Sequence, residues 1–471
     1  MSNVNKIRKY KVVVKNISPL KIGNGEDEGF QLVLQDNKAC ISGTTMAGVF
    51  REFLINNKDI KKDSDIYKKI YSDSNEISTI FFYDSFSEQD IKENDIECRP
   101  HIRIDEKTGT AVQGALFSEC HVNEGKKFEI TFEIKGLEIN EEQYERICDY
   151  LEEFLYLLGN GKKSIGSKST FGFGLMQFDR EDSCYFKEFD LINEQDLEDY
   201  LNDISIYNIK NKVKFNDYTR EKHTSITFKA YCEDGLIIKG DKEKICVNDK
   251  YFYKNISYRE MKIKGKDNEE DYKYVIPSST IKGIVHSYSR KILLTLEKDL
   301  EILKYIFGEK TNERETKKGK RGNLVFYDYK ISKDRFKESE KNQPIYNRIK
   351  IDRFTGGTFQ GSLFKDQVII FNENTKELEF KISISNRLKN VEALKNNRLF
   401  EKAIALIILT FRDMGFGYVT VGSGNNVGFG RLQGNSILID ENEHKYEAKF
   451  QNDKLVGDIE KFEKYIKILN E

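Results

Sequence analysis

Apolar and polar residues alternate along Phe30–Leu34, Phe128–Ile134 and Leu378–Ile384, a pattern that predicts strands with one buried face. Further strands are predicted at Tyr10–Val14 and Ser225–Tyr231, and aromatic strands carrying an acid at Phe81–Phe86 and Leu324–Tyr329. Asp36-Asn37 reads as a turn pair. Apolar helices are predicted around Tyr144–Leu158 and Arg398–Met414. The longest apolar stretch, Ala403–Phe411, is too short to cross a bilayer and reads as a buried helix. Two more helices are predicted to follow the small-residue turns Ile41–Thr45 and Ile276–Thr280, where Ser and Thr can accept bonds from free backbone N–H groups.

These elements come in one order, used twice. Ile104–Phe117 and Ile351–Phe364 share an Ile-Asp start, a Thr-Gly turn and a Leu-Phe end, at an offset of 247. Gly48 matches Gly283 at 235, Asp84 matches Asp328 at 244, and Gly172 matches Gly428 at 256. The growing offset places insertions in the second copy, where surface loops absorb extra length at little entropic cost. One such insertion, Glu309–Gly322, reads either as a solvated loop or as a basic arm through Lys317, Lys318, Lys320 and Arg321. Gly48 and Gly283 cost helix stability, which predicts that something packs closely against them. The order of elements is that of a split β-α-β unit, so the fold class is α+β with two tandem ferredoxin-like modules.

Composition narrows the picture further. A chain of 471 residues exceeds one ordinary core, and two domains are expected. The boundaries read as a first module over 1–180, an acidic linker over 181–222, a second module over 223–436 and a C-terminal extension over 437–471. The linker carries a short helix near Asn193–Leu201, and the extension ends in a Lys-rich helix near Asp458–Leu469. A net charge of −1 does not advertise a nucleic-acid protein, but only local clusters of charge matter to a phosphate backbone. Seven scattered cysteines without a Cys-x-x-Cys pair predict reduced thiols, no zinc site and a cytoplasmic location. The start lacks an apolar signal core, and no membrane partner is expected.

The ordered set Ser18-Pro19-Leu20-Lys21-Ile22-Gly23, Ile41-Ser42-Gly43-Thr44 with Gly48, Ile104–Ala111 and Gly172-Phe173-Gly174 resembles the CRISPR-associated RAMP superfamily. The Asp-x-x-Thr-Gly segment is most similar to the backbone subunits of type III, RNA-targeting effector complexes. The resemblance covers about residues 6–178 and 223–434. It implies an RNA-recognition-like (RRM-like) sheet backed by helices, with a thumb-type β-hairpin in each module. It also implies partners: a CRISPR guide RNA, its complementary target RNA and other type III effector subunits. A tandem copy would occupy two adjacent positions on the guide.

Such a role requires phosphate contacts without base readout. Candidate phosphate ligands are Lys162, Lys163 and Lys168 beside the first glycine loop and Arg431 beside the second. Arg51 and Lys282 are candidates on the capped helices, and Arg103, Lys107, Lys350 and Arg353 near the hairpins. Asp84 and Asp328 read as turn or capping acids; Asp105 and Asp352 read either as acids bonding the hairpin backbone or as neighbours of RNA. The closing glycines read either as packing positions or as places for close RNA approach.

Some members of the resembled family cut target RNA with an Asp in the loop after the first Gly turn, assisted by a divalent metal (Mg or Mn). Here Phe30 holds the usual place of that acid, and Asp27 is the substitute, both as catalytic residue and as metal ligand. In the second copy the corresponding loop, Asp241–Tyr274, is long; Asp241 and Asp249 are its candidate acids, with Asp249 the catalytic candidate. The runner-up reading is a CRISPR precursor-RNA processing endoribonuclease of the same superfamily. Such enzymes commonly use His, and none of the five His recurs in both copies: His101 aligns with Arg348, and His286 with Arg51. A small-molecule enzyme is unsupported, since no phosphate loop, dinucleotide fingerprint or nucleophile elbow occurs.

Overall fold

The computed structural model describes residues 4–23, 32–71, 77–105, 108, 110–137, 139–180, 183–202, 211–215, 224–247, 250–262, 271–309, 319–332, 335, 343–360, 362–372, 377–390, 398–442 and 444–470. The chain divides into two compact units, Met1–Arg103 with Ala111–Arg220, and Glu221–Glu471 with the turn Ile104–Thr110.

The first unit is built on β1 (Lys6–Asn16), which pairs antiparallel with β6 (Lys127–Lys135) along most of its length. Beyond β6 lies β3 (Ile80–Phe82). On its other side β1 pairs with β8 (Leu175–Phe178), which pairs in turn with β7 (Asn160–Ser164). Alternation puts Tyr10, Val12 and Val14 into the core opposite Phe128, Ile130 and Phe132. Two helices cover this face. α1 (Gly43–Asn57) buries Met46, Phe50, Phe53 and Leu54, and α2 (Glu141–Gly159) buries Tyr144, Ile147, Leu151, Phe154, Leu155 and Leu158. These spacings of three and four residues put one stripe of each helix on the sheet. Phe154 meets Phe50 and Phe53 at centroid distances of 5.3 and 5.7 Å, and burial of each such ring contributes about 1.5–3 kcal/mol.

The second unit repeats this sheet. β10 (Thr224–Cys232) sits between β16 (Glu377–Ile384) and β17 (Leu432–Glu441), with β13 (Leu324–Phe326) beyond β16. The order β13-β16-β10-β17 is that of β3-β6-β1-β8. α4 (Ser278–Thr295) and α5 (Leu399–Gly415) take the places of α1 and α2. Every residue of the apolar run Ala403–Phe411 is buried, in agreement with its expected place in a core helix.

Each half also sends out a hairpin. In the first it is β4 (Ile96–Ile104) with β5 (Ala111–Val122); in the second it is β14 (Ile345–Arg348) with β15 (Phe364–Gln367). The long second-half segment after Gly240 is not a loop: β11 (Lys239–Val247) and β12 (Lys250–Ser257) form an antiparallel hairpin, and β12 pairs parallel with β15.

Two segments outside the repeated elements add to the sheets. Within 181–222, β9 (Cys184–Asp190) pairs along β1 and adds a strand to the first sheet. Its short helix, α3 (Glu194–Leu201), starts at Asn193, whose side chain caps it. Within 437–471, β18 (His444–Gln451) and β19 (Lys454–Gly457) extend the second sheet, and α6 (Ile459–Lys467) buries Phe462 and Tyr465. The cysteines are not all reduced: Cys98 and Cys120 are disulfide-bonded, because the two hairpin strands bring their Cα atoms to 3.9 Å. Cys40, Cys148, Cys184 and Cys232 are free and buried. No helix among the described residues is long and apolar enough to cross a membrane.

Candidate nucleic-acid interface

The glycine loops fold alike in both halves. Ile165 and Gly174 bond each other through the Ile165 N–H and Gly174 carbonyl at 2.9 Å, as do Val421 and Gly430 at 2.9 Å. Gly174 N–H then donates to Pro19 O at 2.8 Å, and Gly430 N–H to Gly235 O at 2.9 Å. A Cβ at Gly174 or Gly430 would stand 1.8 Å from the Ile165 or Val421 oxygen. Tight packing alone therefore requires glycine at these two positions.

Each hairpin root carries a carboxylate paired with a cation. Glu119 accepts from Lys168 Nζ at 2.7 Å, with Lys21 Nζ at 3.7 Å and His101 Nε2 at 3.6 Å. Phe117 stacks on His101 at 5.3 Å. Burial would raise the Glu119 carboxyl; the hydrogen bond and charge of Lys168, with Lys21 and His101, outweigh it and hold Glu119 below the usual range. His101 is pushed below its ordinary value by burial, against the pull of Glu119. In the second half Asp366, fully buried, faces Arg348 Nε at 3.2 Å and accepts from Asn255 Nδ2 at 2.7 Å. The Arg348 guanidinium lies 5.3 Å from the Phe429 ring centre, and Tyr346 meets the same ring edge-on at 5.1 Å. A cavity of about 600 Å³ opens there, lined by Asp234, Tyr346, Arg348, Gly428 and Phe429.

The hairpin tips are bonded alike. Asp105 N–H donates to Thr110 O at 2.8 Å, and its carboxylate accepts from the Thr108 N–H at 2.8 Å and hydroxyl at 3.0 Å. Asp352 N–H donates to Gly357 O at 2.8 Å, and its carboxylate accepts from Phe354 N–H and the Thr355 hydroxyl, both at 2.9 Å. Both acids thus bond the turn backbone. Along the strands, matched apolar side chains are exposed in each half: Ile102 with Ile349, Ile104 with Ile351, Leu116 with Leu363 and Phe117 with Phe364. Phe354, at the tip, is 100% exposed.

The capped helices match too. Asp84 Oδ1 accepts from Gly43 N–H, and Asp328 Oδ1 from Ser278 N–H, so both acids cap, as expected. Gly48 and Gly283 are exposed, and no described atom lies within 4 Å of where a Cβ would stand. The described residues therefore do not supply the close packing expected there.

The predicted ligands are distributed around these features. Arg51 is exposed on α1, its guanidinium 4.5 Å from the Tyr71 ring centre. Lys163 donates to Asn57 Oδ1 in the last turn of α1 at 2.7 Å, and Lys162 is exposed on β7, 5.7 Å from the Tyr156 ring centre. Lys282 is half-buried on α4, one residue before the bare Gly283. Arg103, Lys350 and Arg353 are exposed on the hairpins, Lys350 lying 4.9 Å from the Phe359 ring centre, and Arg431 is exposed after the second loop. Lys168 is held in an ion pair with Glu119. Lys107, Asp27 and Asp249 lie outside the described residues, and Asp241 lies in β11. Among the described residues no group of three or more His, Cys, Asp and Glu is placed to hold a metal ion. Glu119, Asp366 and the exposed apolar pairs were missed by sequence reasoning; applying the offset of 247 to every hairpin residue would have found them.

The family model of the RAMP superfamily matches residues 13–177 and 236–433, and the chain belongs to that superfamily. The comparison with curated proteins returned no match. A chain from the cryo-EM structure of the Type III-B Cmr-beta bound to cognate target RNA is similar at 14% identity and a TM-score of 0.28. The match covers 39% of this chain and 61% of that one.

Proposed function

We propose that this chain is a guide-RNA-binding backbone subunit of a type III CRISPR ribonucleoprotein, its halves occupying adjacent positions on the guide. The sheet order is read as ferredoxin-like and RRM-like, and the two hairpins as thumbs. One observation carries the reading: both halves expose the same apolar hairpin edge and the same bare glycine on a capped helix. Matched exposed apolar positions mark an interaction surface. A helix face without side chains lets a sugar-phosphate backbone come close, with Arg51 and Lys282 beside it to neutralise phosphate. Complementary target RNA and other effector subunits complete the assembly. For target cleavage, Asp27 and Asp249 remain the candidate acids, Asp27 also as ligand to a Mg or Mn ion.

The test is reconstitution of the full chain with partner subunits and a guide. Bound guide RNA with two adjacent protected segments supports the reading; an assembly devoid of RNA sinks it. Supplied with complementary RNA and Mg or Mn, the assembly also reports cutting. Loss of one cut site in Asp27→Ala or Asp249→Ala assigns that acid, and unchanged cuts in both variants remove both acids.

A further inference from the structure

Glu119 and Asp366 stand at the same place in their hairpins, 247 residues apart, yet the cations facing them come from different elements. In the first half the cation is Lys168, from the glycine loop, in a left-handed conformation at φ 61°. In the second half the matching loop position is Gly424, at φ 82°. There the cation is Arg348, from the hairpin strand, at the position that His101 holds in the first half. A Cβ on Gly424 would stand 2.7 Å from Arg348 Nη2 and 2.9 Å from Phe429 Cδ2, so the guanidinium and the ring together fill the space beside position 424. His101, shorter than Arg, leaves that space to Lys168.

We propose that each half carries a clasp at its hairpin root beside its glycine loop, in which the hairpin carboxylate is bonded by a cation, Lys168 or Arg348, whose chain position has been exchanged between the copies. The residues at 101 and 168 and those at 348 and 424 are then coupled pairs: a long cation at one member requires a small residue or a shorter ring at the other. Lys168 and Arg348 are positioning residues, acting through the hairpin. That they serve RNA grip rests on the proposed function; the clasp does not.

Hydrogen exchange on the free full chain reads the clasp without RNA, at the amides of β4 and β14. Lys168→Gly relieves the left-handed backbone, so any loosening belongs to the lost ammonium. It is expected to speed exchange in β4 about tenfold, the scale of one lost charge-assisted hydrogen bond. Adding His101→Arg to Lys168→Gly should restore the exchange rate. In the second half Arg348→His should speed exchange in β14, and Arg348→His with Gly424→Lys should recover it. Unchanged exchange in Lys168→Gly, or no recovery in either double variant, overturns the proposal. Exchange that follows these expectations while guide-RNA affinity stays constant supports the clasp and shows that it does not serve RNA grip.

Discussion

Asp84 accepts the Gly43 N–H at 2.7 Å from 41 residues away, and so joins the aromatic strand to the start of α1. Asp328 does the same for Ser278 at 2.8 Å. The two caps differ in what stands beside them. Ser42 also caps α1, accepting from Thr45 N–H, whereas Pro277 at the start of α4 offers no side-chain acceptor. Asp328→Ala should therefore destabilise the fold by about 1–2 kcal/mol and Asp84→Ala by less, about 0.5–1 kcal/mol. Denaturant midpoints of the two variants check this; a larger loss in Asp84→Ala would contradict the unequal roles.

Gly48 and Gly283 allow stability and binding to be separated. Each sits within a helix, exposed, with open space where a Cβ would point. Gly48→Ala and Gly283→Ala should each raise stability by about 0.5–1 kcal/mol, through helix propensity and a less disordered unfolded chain. If RNA lies on this face, the same substitutions lower guide affinity while the thermal midpoint rises. A rise in both would exclude the face from the RNA path.

The duplication and most core elements were legible because they rest on local signals. The alternation at Phe128–Ile134 and Leu378–Ile384 became β6 and β16, and Asp36-Asn37 formed its turn with both residues at positive φ. Less legible was whatever depends on contact between distant segments. The Cys98–Cys120 bond needs the register of a hairpin whose polar face gave no period. The pairing of Cys184–Asp190 with β1 was hidden by the acidic residues around it. Lys168 looked free because its partner Glu119 lies 49 residues earlier in the chain.

Asp352 provides a pH test at the second hairpin tip. The Phe354 N–H and the Thr355 hydroxyl hold its carboxyl below its ordinary value. Its folded pKa is depressed, so the turn's bonds are fully present above the unfolded value of about 3.9 and are lost as pH falls through the lower, folded value. The Phe354 amide signal in NMR should shift with this titration, and the shift should vanish in Asp352→Asn. A titration at or above the unfolded value would show that the carboxylate does not hold the turn in solution.

The first hairpin root should respond to acid in two steps. His101 faces Glu119, Lys168, Lys21 and Arg99, with Phe117 stacked on its ring, and burial depresses its pKa. Folding therefore favours the neutral imidazole, and the associated stability, present above about 6.5, is lost as pH falls through the lowered value. Glu119, also depressed, holds its contribution above about 4.3 and loses it further into acid. Arg348 stands in the place of the imidazole in the second half. Exchange at the amides of β4 should accelerate between neutrality and pH 5 relative to β14, after correction for intrinsic rates. His101→Gln should abolish that upper step and leave the lower one. If the upper step persists in His101→Gln, the imidazole is not the group that loosens the root.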